Sequence, residues 1–252
     1  MKKHERLRSI LRYFSPFEWL LLGGSITVIL TVSALSRATS WLSLVASLIG
    51  ATALVFLAKG NVTGQILTVV FSILYGIISY GQAYYGEMIT YLGMTMPIAL
   101  WSVIVWLRHP FEGRRAEVEI CRLRPREYLV AVLLGVTVTV PFYFLLRALG
   151  TARLLLSTVS VFTSFEAVWL SLKRSPAYAL GYAANDVVLI LLWLLAARES
   201  PEALGMVVCF LAFLVSDLYG FFNWQRMERA QKKRTPTVSQ AEPLPREDAK
   251  SR

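Results

Sequence analysis

Residues 177–196 read AYALGYAANDVVLILLWLLA, twenty residues with one acid, Asp186, at the centre. Twenty mostly apolar residues match the length a helix needs to cross ~30 Å of hydrocarbon. Seven further stretches of the same kind surround it: Trp19–Leu35, Trp41–Ala58, Gly64–Tyr80, Glu87–Leu107, Tyr128–Leu149, Leu154–Leu172 and Leu204–Trp224. A hydrophobic content of 56% and a mean hydropathy of +0.54 agree. Eight spans leave almost no chain for a soluble domain. The expected fold is therefore an all-α polytopic membrane protein of eight transmembrane helices.

Basic residues orient the chain. Lys2, Lys3, Arg6, Arg8 and Arg12 precede the first span, and Lys59 lies between spans two and three. Arg108, Arg114, Arg115, Arg122, Arg124 and Arg126 separate spans four and five, Lys173 and Arg174 separate spans six and seven, and eight more follow span eight. Only Arg37, Arg147, Arg153 and Arg198 fall near the other side. The positive-inside rule then puts both termini and the central loop in the cytoplasm. The net charge of +10 is topological signal with attraction for anionic membrane lipid. Its dispersal over five segments argues against nucleic-acid binding.

The expected organisation is a cytoplasmic N-terminus (1–18), a first transmembrane repeat (19–107), a basic loop (108–127), a linking helix (128–149), a second repeat (154–224) and a disordered cytoplasmic tail (225–252). The basic start, apolar run and Val32-Ser33-Ala34 also suit a cleaved signal peptide. A retained helix is preferred, because the run exceeds a usual signal core and takes part in the repeat described next. The tail is polar and carries Pro236, Pro243 and Pro245. Cys121 lies in the loop and Cys209 within span eight, so no disulfide is expected. With His4 and His109 the only histidines, no metal site and no cofactor are expected.

Polar landmarks recur in order. Glu18-Trp19 and Glu127-Tyr128 are offset by 109, Lys59 and Lys173 by 114, Gly64-Gln65 and Gly181-Tyr182 by 117. Trp101 and Trp106 match Tyr219 and Trp224 at an offset of 118. Four spans separate each pair, so both halves cross the membrane in the same direction. Parallel repeats of this kind belong to transporters whose substrate site lies between the halves.

Inside the spans, Gln65, Thr68, Ser72, Tyr75 and Ser79 follow at spacings of 3, 4, 3 and 4, one stripe on a helix. Such a stripe faces either a neighbouring helix or an aqueous cavity. Tyr182, Asp186 and Trp193 share a helix face. An acid at the bilayer centre costs about 2.5–3.5 kcal/mol, which makes Asp186 a functional candidate. Glu166 and Asp217 are also deep, with no Lys or Arg at matching depth; water near the cytoplasmic third is their plainer explanation. Carboxylates beside aromatic faces suit a planar cation. Pro97 and Pro141 are expected to kink their helices. No nucleotide loop, nucleophile triad or metal-protease motif occurs, so the chain does not read as an enzyme.

These residues resemble the PnuC family of bacterial vitamin transporters. Gly64-Gln65, Tyr75, Tyr84-Tyr85-Gly86-Glu87, Trp101 and Trp106 look like that family's first repeat. Tyr182 followed four positions later by Asp186, then Tyr219-Gly220 and Trp224, looks like its second. The likeness implies a 3+1+3 arrangement, similar to SWEET sugar transporters, with span five as linker and span one as an extra N-terminal helix. It implies facilitated diffusion of a small-molecule substrate, foremost nicotinamide riboside, across the bacterial cytoplasmic (inner) membrane. A cytoplasmic kinase would trap the product, and a homo-oligomer is an open partner. On this basis Tyr182 and Trp193 would stack the ring and Asp186 would compensate its charge. Gln65 and Asn185 would bind the ribose, with Tyr75, Trp101, Glu166 and Tyr219 as further candidates. Tyr182 stands where Trp is usual and Asp186 where Asn is common, which keeps thiamine and deoxynucleosides as alternatives. Proton-coupled symport and a non-transporting scaffold or sensor are the rival readings.

Overall fold

Eight helices long and apolar enough to span a membrane follow one another through a computed structural model that describes residues 13–36 and 40–234. They are α1 (Pro16–Ser36), α2 (Trp41–Ala58), α3 (Val62–Gly81), a fourth span in two parts, α6 (Pro125–Ala148), α7 (Leu154–Leu172), α8 (Tyr178–Ala197) and α9 (Leu204–Arg234). The fourth span begins as α4 (Tyr85–Thr90), widens into a π-helical turn (Tyr91–Thr95) and continues as α5 (Met96–Arg108).

Local chemistry sets these boundaries. Ser40 caps α2 by accepting from the Ser43 amide, and Asn61 caps α3 through Thr63. The Glu18 carboxylate accepts from the Ser15 amide at 2.7 Å, and Glu127 accepts from the Arg124 amide at the same distance. The landmark acids that open spans one and five thus do the same job, closing a first helical turn. Pro97 lacks an N–H and crowds the preceding turn; the π turn directly before it absorbs that mismatch.

Six spans close into a ring. Neighbours pack in the order α2, α3, α4–α5, α7, α8, α9 and back to α2. α6 lies outside the ring against α7, and α1 lies outside against α2 and α9. Glu18 docks α1: its carboxylate takes the Lys59 ammonium at 2.9 Å and the Tyr219 hydroxyl at 3.1 Å.

The two halves repeat in detail. The Trp106 indole donates to the Ser171 carbonyl at 3.1 Å, and the Trp224 indole donates to the Leu57 carbonyl at 2.8 Å. Leu57 and Ser171 carry the same offset as Lys59 and Lys173, so each tryptophan bonds the equivalent position of the opposite half. The two indoles meet with centroids 5.5 Å apart. Gly64 abuts the backbone at Ala53 and Leu57, and Gly181 abuts the backbone at Ala167; a Cβ at either would collide.

Two expectations are corrected. The tail, expected to lack structure from residue 225, is helical to Arg234, and Gln231 is buried; residues 235–252 lie outside the described segments. The basic loop folds into an antiparallel hairpin, β1 (Pro110–Phe111) and β2 (Arg114–Val118). The chain leaving it forms a strap. The Val118 amide donates to the Gly60 carbonyl and the Cys121 amide to the Arg174 carbonyl, each at 3.0 Å. Between them the Ile120 amide donates to the Gln231 side chain at 2.9 Å, which explains the helical extension of α9. The linking helix begins at Pro125, three residues before its expected start.

If the crossed indole bonds are equivalent, Trp106→Phe and Trp224→Phe should cost similar amounts, about 0.5–1.5 kcal/mol each. Thermal unfolding in detergent checks this; a large loss in one variant beside none in the other would break the equivalence.

Candidate functional site

The ring encloses a small cavity of about 30 Å³ where the two halves meet. α8 contributes Tyr182 and Asp186, α9 contributes Phe213 and Asp217, α3 contributes Thr68 and Phe71, and the π turn contributes Tyr91 and Thr95. α2 supplies a wall of small and aliphatic groups, where Gly50 leaves the space that the Phe213 ring occupies. Asp186 and Asp217 are each 3% exposed and line the same cavity. Among the described residues the Asp186 Oδ2 atom has no hydrogen-bond partner, and no Lys, Arg or His lines the cavity.

Aromatic rings stand beyond the acids. Phe71 stacks on Tyr75 at 5.5 Å, Tyr75 meets Tyr91 edge-on at 4.4 Å, and Phe213 meets Phe71 at 5.3 Å. Two turns along α8 from Asp186, the Trp193 indole donates to the Tyr75 hydroxyl at 2.8 Å. The Tyr84 hydroxyl donates to the Leu192 carbonyl at 3.1 Å beside it. These contacts make a plug of rings across one end of the cavity.

Of the residues expected from sequence, Tyr182 and Asp186 line the cavity, and Tyr75 and Trp193 belong to the plug of rings beyond it. Asn185 is already engaged. Its Oδ1 accepts from Ser160 at 3.1 Å, Thr163 at 2.8 Å and Ser164 at 3.0 Å, while its Nδ2 reaches the Tyr91 hydroxyl at 3.3 Å. It locks α8 to α7 and orients Tyr91. Gln65 donates to Ser171 at 2.8 Å and ties α3 to α7. Its polar stripe is buried throughout, with Thr68 and Ser72 bonded back to their own helix. The stripe therefore packs between helices, and only Thr68 borders the cavity.

Three expected residues fall elsewhere. Trp101 is 65% exposed on the outer surface of α5, because the π turn rotates that helix. Glu166 points toward α6 and presses on Gly135. Tyr219 is spent on Glu18. Conversely, Tyr91, Phe71 and Phe213 escaped the sequence reading because they resemble ordinary packing residues. Asp217 carried a usable signal: Phe213 precedes it by four positions, as Tyr182 precedes Asp186. Glu87 is fully buried nearby and accepts from Ser160 at 3.1 Å.

Residues 40–226 match the family model described as nicotinamide mononucleotide transporter. The chain belongs to this family, the PnuC transporters. A nicotinamide riboside transporter PnuC of Neisseria mucosa is 29% identical over 214 residues, covering 83% of this chain and 80% of that one. A nicotinamide riboside transporter PnuC of Haemophilus influenzae is 23% identical over 189 residues, 75% of this chain and 80% of its own. Among solved structures, a vitamin B3 transporter PnuC superposes with a TM-score of 0.77 at 26% identity, covering 86% of this chain and 94% of that one. Family membership and eight apolar helices together make this a multi-pass membrane transporter.

Asn185→Ala would leave three hydroxyls without their shared acceptor and should lower stability by about 1–3 kcal/mol. Asp186→Asn removes a buried acid at constant volume and should leave the thermal midpoint unchanged or raise it. Melting both variants against the parent protein tests the division between a structural amide and a functional acid.

Proposed function

We propose that this chain carries nicotinamide riboside into the cell by facilitated diffusion. The observation supporting this reading is a cavity walled by two carboxyls and several aromatic faces, with no basic side chain. The pyridinium of the riboside is a flat cation, attracted by the carboxylates and by ring faces. The mononucleotide named in the family description adds a phosphate, which would meet two like-charged groups in a low-dielectric site. That contrast favours the riboside, the substrate named for both similar transporters. It also gives direction: a cytoplasmic kinase that adds the phosphate makes a product the site rejects.

In this reading Tyr182 stacks the pyridinium and Asp186 and Asp217 compensate its charge. Tyr75 and Trp193 form the outer gate of rings. The distribution of basic segments supports a topology with both termini in the cytoplasm of a bacterial cell, in which the strap and the Trp106–Trp224 pair form the inner gate. Pockets that take small ligands usually enclose roughly 300–1,000 Å³. A cavity of about 30 Å³ must therefore expand by separation of these gates.

Calorimetric titration of the purified protein with nicotinamide riboside, its mononucleotide, thiamine and a deoxynucleoside tests the reading. The riboside should bind at least tenfold more tightly than the mononucleotide. Asp186→Ala should lose that binding while remaining folded. Equal affinity in parent and variant would remove Asp186 from the site, and tighter binding of the mononucleotide would overturn the riboside assignment.

The burial of Asp186 and Asp217 in one cavity favours one second reading, in which the pair relays protons and uptake is coupled to them. Uptake into vesicles separates the two. Facilitated diffusion predicts equal initial rates with and without a proton gradient, and a severalfold loss on dissipating the gradient would establish coupling.

A further inference from the structure

A groove of about 690 Å³ opens on the cytoplasmic side of the helices, between the start of α6 and the extension of α9. α6 packs on α7, and no substantial contact joins it to α9, so the gap between them is open toward the membrane. Leu123, Leu180 and Phe221 form its apolar floor. Arg122, Arg229 and Lys232 stand around its mouth with one acid, Glu228. Arg122 reaches Glu228 at 4.0 Å, whereas neither Arg229 nor Lys232 has an acidic partner among the described residues. An apolar trough ending in uncompensated cations has the two-part chemistry of an acidic phospholipid, acyl chain below and phosphate above.

We propose that this groove is a binding site for an anionic phospholipid of the cytoplasmic leaflet. The acyl chain lies along Leu180 and Phe221 in the gap between α6 and α9. The headgroup phosphate lies between Arg122 and the pair Arg229 and Lys232. Arg122 directly follows the strap, and Arg229 and Lys232 flank Gln231, to which the strap is bonded. The phosphate therefore joins the strap to the helix extension from outside, as Gln231 joins them from inside. The phosphate must come from a lipid: a soluble anion would satisfy the cations and leave the apolar floor exposed.

Native mass spectrometry of the full chain in detergent, titrated with phosphatidylglycerol or phosphatidylcholine, tests this site. Each basic residue near a membrane surface contributes about a fivefold gain in affinity for anionic lipid. Arg229→Gln with Lys232→Gln should therefore weaken phosphatidylglycerol retention on the order of tenfold or more. Both side chains are exposed, so the variant keeps its fold. Arg147→Gln with Arg198→Gln, equally exposed at the other end of the spans, should leave retention unchanged. Equal retention of the two lipids by the parent protein would overturn the site. So would equal loss in the two variants, or displacement of the lipid by millimolar inorganic phosphate.

Discussion

Two carboxyl groups buried side by side, with no cation near them, set the terms on which this ring of helices holds together. Neither can be paid for by a salt bridge, so surrounding contacts must hold the backbone of α8 and α9 in place around them. Asn185 does this for α8, gathering three hydroxyls of α7 onto one carbonyl oxygen. The Trp224 indole does it for α9, bonding the backbone of α2. Asp186 is preceded directly by an amide engaged on both its oxygen and its nitrogen, yet keeps one oxygen without a partner among the described residues. Within α8 a side chain bonded to a neighbouring helix and an acid that lines the cavity therefore sit one position apart.

The same separation explains what could be learned before the structure was known. Span number, helix length and the parallel repeat follow from hydrophobicity and from landmarks such as Lys59 and Lys173, because the bilayer imposes one length scale on every helix. Tyr182 and Asp186 were legible since an acid amid apolar residues demands an explanation. Asn185 and Gln65 are bonded between helices, which the sequence could not show: a buried amide serves equally well as ligand or as strut, and its partners lie on other helices. Trp101, named from the family likeness, faces outward from α5, and a motif match carries no information on which way a side chain points. Helix α9 outran its apolar stretch because Gln231 finds its partners in a distant loop, a contact that periodicity does not encode.

The strap joins the turns that end α2 and α7, equivalent places in the two halves. Both turns use a residue with positive φ, Gly60 at 66° and Arg174 at 58°. At Gly60 this conformation is free of cost, whereas Arg174 bears a side chain there and its guanidinium bonds the Glu119 carbonyl at 3.0 Å. A single segment therefore reads two similar turns and treats them differently.

That asymmetry has a consequence for how such a chain diversifies. Two identical halves meeting on an axis must change together, since any substitution appears twice. One covalent strap between them ends that obligation. Tyr182 and Asp186 correspond, at an offset of 117, to Gln65 and Val69; Phe213 and Asp217 correspond, at 118, to Thr95 and Ala99. All the acid facing the cavity belongs to the second half, and the first supplies hydroxyls, rings and bulk. In the joined chain the second half carries the charge and the first answers it with shape.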